Sequence, residues 1–212
     1  MSKMEEQILV AKRSAVFDNE KDVFQGVVSM STNKHSIGKI MRAIGENIEV
    51  MRRGDAEENP LYKQPIPYAV IKQGDKYFGY ERLAGGGESR LHGTISLGVG
   101  GHMNPIEGME MDTFDNVLLA NLSREIDEEL NIESTNDKDI TFNIKIIGLV
   151  NDETEEVGRV HIGILAFIEL SENAIVEVAE TDQLEGRWFT AEELKDAYER
   201  LENWSKFVVD SF

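Results

Sequence analysis

The chain has 212 residues, with 40 Asp and Glu against 22 Lys and Arg, giving a formal net charge of −18 and no cysteine. This acidity argues against nucleic acid, whose backbone rewards clustered Lys and Arg, and against an anionic membrane surface. The missing thiols exclude a disulfide framework, a thiolate metal site and a cysteine nucleophile. Hydrophobic residues at 41% and charged residues at 29% suit a folded, soluble protein of one domain, or one domain with an N-terminal extension.

The opening Met1-Ser2-Lys3-Met4-Glu5-Glu6-Gln7 turns acidic before any apolar stretch develops, unlike a secretory signal. The apolar run 162–170 is far short of the roughly 20 residues that span a bilayer. A cytoplasmic protein is the expectation. Residues 7–11 suit a short strand. Ile37, Ile40, Met41, Ile44, Ile48 and Met51 recur at intervals of three and four, which predicts a helix running to Met51. Gly45 interrupts it at modest cost, and Gly54 and Pro60 stop it. Residues 1–62 are thus expected to be an extension packed on a main domain of residues 63–212. Its helix either covers the site or builds a homodimer interface.

From Pro67 the pattern changes to strands. Residues 68–71 and 77–80 flank Gly74-Asp75 as a hairpin would. The loop Leu83-Ala84-Gly85-Gly86-Gly87-Glu88-Ser89-Arg90 reads as a mobile strand connection or, with Arg82 and Arg90 beside it, as a phosphate cradle. A strand over 94–99 leads into Gly100-Gly101, and a helix is predicted from Phe114 to Leu130. Two β-branched strands follow, over 140–150 and 159–170, separated by 151–156, which reads as a solvated acidic turn. Shorter strands are expected at 174–178 and 187–189, with Trp188 in the core. Thr190 and Glu193 form a capping-box signature for a helix reaching Leu201. Residues 203–212 suit a last helix carrying Trp204 and Phe207.

The informative segment is residues 116–132. At about 100° per residue, Leu119, Leu122, Ile126 and Leu130 share one apolar stripe. Glu125, Glu128 and Glu129 stand at i, i+3 and i+4, so their carboxylates emerge together beside it. They repel one another by some tenths of a kcal/mol per pair, and they sit at the negative end of the helix dipole. A divalent cation would relieve both costs, and carboxylate oxygens without thiolate or clustered imidazole suit Mg2+ or Mn2+. Arg124 can pair with Glu128 or reach back into the preceding loop. A solvated acidic helix face fits these residues too.

The residue order resembles the Nudix hydrolase family. Its signature, G-x5-E-x7-R-E-U-x-E-E-x-G-U with U apolar, matches Arg124-Glu125-Ile126-x-Glu128-Glu129-x-x-Ile132 at every position but one. Gly100-Gly101 is similar to the family's opening glycines, and residues 185–194 to its closing passage from a Trp-bearing strand into a helix. The likeness covers roughly residues 65–201 and implies an α/β fold, a Nudix-type α/β/α sandwich with a mixed sheet. It implies hydrolysis of a nucleoside diphosphate linked to another moiety, with metal-activated water. By that resemblance Glu128 and Glu129 are the main Mg2+ ligands, Glu125 is a further ligand or base, the Gly101 carbonyl completes the site, and Arg124 orients the glutamates. Asp182 and Glu185, with Glu180 behind them, are candidates for an additional ligand or base. His102, Arg82 and Arg90 are candidates to meet the substrate.

Three departures stand out. Between Gly101 and Arg124 lie 22 residues where the pattern has 13, so 102–115 carries an insertion. The family's first Glu falls on Asn116, its role open to Glu107, Glu110, Asp112 or Asp115. Its Gly after the helix is Asn131, the next best residue for a left-handed cap. A type I isopentenyl diphosphate isomerase, on the same fold, needs a cysteine that this chain lacks. A non-catalytic nucleotide-sensing or protein-binding module is the remaining alternative.

Overall fold

The structure is a computed structural model and describes residues 2–83, 92–108, 113–136 and 139–212. In chain order the elements are β1 (Gln7–Lys12), α1 (Arg13–Val16), β2 (Gly26–Ser29), α2 (Met30–Glu46), β3 (Ile48–Arg52), α3 (Arg53–Glu57) and β4 (Tyr62–Gln73). Next come β5 (Lys76–Arg82), β6 (Ile95–Ser96), β7 (Gly98–Val99), α4 (Phe114–Glu129) and β8 (Leu130–Ser134). The rest are β9 (Phe142–Asn151), α5 (Glu156–Val160), β10 (His161–Leu170), β11 (Ala174–Val178), β12 (Leu184–Thr190), α6 (Ala191–Asp196) and α7 (Asn203–Val209). This is the mixed α/β composition expected. Among the described residues no helix is long and apolar enough to cross a membrane. The chain divides into two compact units, Met1–Tyr68 with Gly100–Ser123 and Ile147–Leu165, and Ala69–Val99 with Arg124–Ile146 and Ala166–Phe212. Residues 1–62 therefore share a unit with two later segments.

In the first unit, β1 pairs antiparallel with β3, from Gln7 opposite Arg52 to Ala11 opposite Ile48, and with β4 through Ala11 and Lys63. β2 pairs with β9, Gly26 opposite Asn151. Ile37, Ile40 and Ile44 bury one face of α2, as their spacing requires. The helix stops at Glu46, not Met51. The Asn47 side chain donates to the Ala43 carbonyl, closing the last turn, and Ile48 and Met51 then belong to β3. Near an element's end, a three-to-four spacing does not separate the two periods.

The second correction concerns 151–153. Residues 154–156 are exposed as expected, but Asn151 and Asp152 are buried, and Asn151 and Glu153 hold an interior cation. Lys63 is fully buried. Its Nζ donates to Asn151 Oδ1 at 2.8 Å, Glu153 Oε1 at 2.9 Å, and the carbonyls of Gly158 and His161 at 3.1 Å each. Arg13 joins Glu153 at 3.0 Å, and Asn151 Nδ2 donates to Glu153 and to the Phe24 carbonyl. Burial lowers the Lys63 pKa to about 8, against the opposing pull of Glu153. A charge taken from water needs this many partners.

In the second unit, β5 pairs with β12, from Leu184 opposite Arg82 to Thr190 opposite Lys76, with β4 and with β6. β11 pairs with β8, Val178 opposite Leu130. Ile95, Leu97, Phe189, Leu194, Leu201 and Val209 pack as one cluster, with Tyr77 against it. The Thr190–Glu193 capping box is formed in full. α6 nevertheless ends at Asp196, and a separate turn, Tyr198–Arg200, precedes α7, which stops at Val209. Trp188 is only half-buried, edge-on to Phe78 at 5.4 Å, because its face of β12, with Gly186, lines an open groove.

Replacing the buried cation tests how much its cage holds. Lys63→Met is expected to lower the unfolding free energy by about 3 kcal/mol, the scale of breaking a buried ion pair. Lys39→Met removes the exposed pairs with Asp18 and Asp22 and should change it by less than about 1 kcal/mol. Urea unfolding of the two variants measures the contrast, and equal losses would contradict the assignment.

Candidate functional site

α4 presents its carboxylates differently from the expected stripe. Val117, Leu118, Asn121, Leu122 and Glu125 are buried, whereas Leu119 is 42% exposed. The packing face is thus rotated by about one residue and contains Glu125 itself, 7% exposed, with Glu129 one turn further on. Glu128 lies on the exposed side. Arg124 joins the two faces: its Nη2 donates to Glu125 Oε1 at 2.7 Å, and its Nη1 to Glu128 Oε2 at 3.1 Å. It orients both carboxylates from one planar fork.

Glu129 carries the electrostatic tension. Its Oε2 is buried and accepts no hydrogen bond among the described residues. Burial pushes its pKa up to about 7; the charges of Glu125, Glu180 and Glu128 push the same way, against Arg82. Arg82 is itself held by Glu202, Nε to Oε1 at 2.7 Å. Strand pairing brings Glu180 into range, because the Ala179 amide donates to the Glu129 carbonyl at 2.8 Å. Tyr80, fully buried, donates to the Gly98 carbonyl, and its hydroxyl pKa is raised, first by burial and then by the Glu129 charge.

A hard divalent cation fits these donors. The orphaned oxygen of Glu129 and the buried carboxylate of Glu125 offer the all-oxygen environment that Mg2+ and Mn2+ select.

Arg124, Glu125, Glu128, Glu129 and Arg82 therefore come together in the second unit. Asp182 and Glu185 belong to that unit but are exposed; Glu185 borders a groove of about 610 Å3 that Val176 and Trp188 also line. Gly101 and His102 lie in the first unit. The preceding Gly100 is there because a Cβ would fall 1.8 Å from the Pro67 carbonyl oxygen. Arg90, Glu110 and Asp112 lie outside the described residues, and Glu107 and Asp115 are exposed. Asn131 does not adopt a left-handed cap: α4 runs directly into β8, where Asn131 pairs with Glu177, so no turn demands a positive φ.

His102 has partners that sequence spacing does not reveal. Its Nε2 lies 3.3 Å from Glu57 Oε1 and 3.1 Å from His161 Nε2. Glu57 ends α3 and His161 begins β10, 104 residues apart by number (161 − 57). Burial opposes ionisation of Glu57, but the His102 hydrogen bond and the charges around it lower its pKa to about 2. Burial lowers His161 to about 4.

No family model matches the sequence. The chain is 52% identical over 212 residues to Protein YmaB of Bacillus subtilis (strain 168), covering 99% of this chain and 98% of that protein. Among solved structures it is similar to Tm1382, a candidate Nudix hydrolase, with a TM-score of 0.73 and 28% identity over 97% of each chain. A MutT Nudix hydrolase from Burkholderia pseudomallei shares 18% identity at a TM-score of 0.43, over 70% of this chain and 96% of that one. The likeness to Tm1382 over 97% of each chain supports a Nudix-type hydrolase, an enzyme of the pyrophosphohydrolase class. Tm1382 spans the first sixty residues as well, so that segment is common to both rather than an addition to one.

The raised carboxyl of Glu129 has a defined consequence for stability. A folded-state pKa near 7 against an ordinary 4.5 means that the folded chain binds the proton more tightly. The stabilisation is complete below pH 4.5 and is lost as pH rises towards 7. His161, lowered to about 4, acts in the opposite sense over much of that range, so the contrast must be internal. In chelator, wild type should lose more melting temperature between pH 5 and pH 7.5 than Glu129→Gln does; identical slopes would contradict the reading.

Proposed function

We propose that the chain hydrolyses the pyrophosphate linkage of a nucleoside diphosphate joined to another moiety. The orphaned, buried oxygen of Glu129 beside Glu125 on one helix face is the observation that carries this reading. Glu125 and Glu129 would hold Mg2+ or Mn2+, with Glu128 as a further oxygen donor at the helix surface. When bound, such an ion neutralises phosphate charge and lowers the pKa of a coordinated water.

The chain's own residues do the positioning. Arg124 fixes the Glu125 and Glu128 carboxylates from one guanidinium, which leaves Glu129 as the group with unmet oxygen capacity. Arg82 offsets part of the negative field at Glu129, and its pairing with Glu202 keeps it from collapsing onto that carboxylate. At pH values above about 7 Glu129 is ionised, the form that donates electron pairs to a cation or accepts a proton from water. Glu180, whose charge acts on Glu129, joins Asp182 and Glu185 as a candidate for the additional base.

The test is turnover. Purified protein incubated with a panel of nucleoside diphosphate derivatives and Mg2+ or Mn2+ should release nucleoside monophosphate from at least one. Glu129→Gln and Glu125→Gln should each lower that rate on the order of 100-fold, the scale of losing one preorganised electrostatic group. No turnover across the panel, or wild-type rates in both variants, would refute the hydrolase. A nucleotide that raises the melting temperature without being cleaved would point instead to sensing.

A further inference from the structure

Glu57, His102 and His161 converge in the first unit with their ligand atoms turned on one another. Within hydrogen-bonding reach of a carbonyl, a ring nitrogen must carry its proton. His161 Nδ1 lies 2.6 Å from the Val157 carbonyl oxygen, an acceptor only. The neutral ring therefore presents Nε2 as a lone pair, and that atom faces His102 Nε2 at 3.1 Å and Glu57 Oε2 at 3.8 Å. Glu57 turns its other oxygen to His102 at 3.3 Å, so one carboxylate straddles two imidazoles. The three offer donor atoms that all lie within 4.8 Å of one another.

These separations, 3.1, 3.3 and 3.8 Å, compare with the edges of a coordination polyhedron. Ligands bound at 2.0–2.1 Å in a tetrahedron stand about 3.3 Å apart. Two imidazoles and a carboxylate, with no thiolate, are the donor set of zinc-type first-row ions rather than of Mg2+. The supports are in place too. The His161 hydrogen bond to Val157 is the outer-shell contact that fixes a ligating histidine's tautomer and ring orientation. It also satisfies a carbonyl in the last turn of α5. The His161 backbone is pinned in turn, because its carbonyl accepts from the buried Lys63. Arg53 holds Glu57 from the outside at 3.4 Å. His161 is nine-tenths buried, and the His102 side chain is only 13% exposed.

We propose that Glu57, His102 and His161 form a binding site for a zinc-type transition-metal ion, with three protein ligands, an open fourth position and no ligand on α4. Hydrogen bonding alone accounts for the contacts less well. His102 has one Nε2 proton to share between Glu57 and the His161 lone pair, whereas an ion at the centre satisfies all three.

The experiment uses the full chain, stripped with chelator and titrated with Co2+, whose visible ligand-field absorption reports nitrogen ligation. One Co2+ per chain should bind with visible bands, be displaced by Zn2+, and be retained in the presence of millimolar Mg2+. His161→Gln and Glu57→Gln should each weaken binding roughly 100-fold, whereas Glu129→Gln should leave these bands unchanged. Circular dichroism shows whether the variants fold. If they do not, X-ray absorption of Zn2+-loaded wild type decides, with two imidazole ligands expected. Absence of nitrogen-ligated Co2+, equal binding in folded His161→Gln, displacement by Mg2+, or an all-oxygen absorption spectrum would overturn the site.

Discussion

Burial of the Glu125 carboxylate and of one Glu129 oxygen on the packing face of α4 is the constraint around which the candidate site is arranged. Removing a carboxylate from water costs several kcal/mol even after relaxation, and Glu125 and Glu129 stand one helical turn apart, each raising the other's cost. Arg124 answers for Glu125 at 2.7 Å. The charge of Arg82 acts in favour of ionised Glu129, whose Oε2 stays without a hydrogen bond among the described residues. A helix built for stability alone would carry leucine there. The unmet oxygen is an electrostatic cost that a divalent cation would remove, and the proposed hydrolysis is centred on it.

The first unit solves the opposite problem. Lys63 is a cation without water, and the chain surrounds it with two side chains and two carbonyls. One of those carbonyls belongs to His161, so the same cage fixes the backbone of an imidazole facing His102 and Glu57. The insertion that lengthens residues 102–115 begins at this histidine. In this chain the passage after Gly100-Gly101 therefore opens with a residue engaged elsewhere in its own unit, not a free loop.

Much of this was legible in the residues, for physical reasons. α4 was readable because sixteen residues sample the helical period several times, and the capping box because it is local. The side of α4 that packs is not encoded locally: Leu118 and Leu119 are both apolar, and only tertiary contact decides between them. The end of α2 is not set by spacing, because Ile48 and Met51 satisfy both periods. Lys63 with Asn151 and Glu153, and His102 with Glu57 and His161, are unions across some 45 to 90 residues of chain. No spacing encodes such pairs, and a buried lysine is too rare to expect. The net charge of −18 also changes meaning, since Glu125 is buried and Glu129 half-buried with one oxygen out of solvent, rather than both being solubilising.

The most direct measurement is Mg2+ binding by calorimetry at pH 8, where Glu129 is ionised and imidazoles compete poorly for this hard cation. Wild type should bind Mg2+, and Glu125→Gln/Glu129→Gln should lose the binding while remaining folded. Undiminished Mg2+ binding in the folded double variant would contradict the central claim that the buried carboxylates of α4 are the cation site.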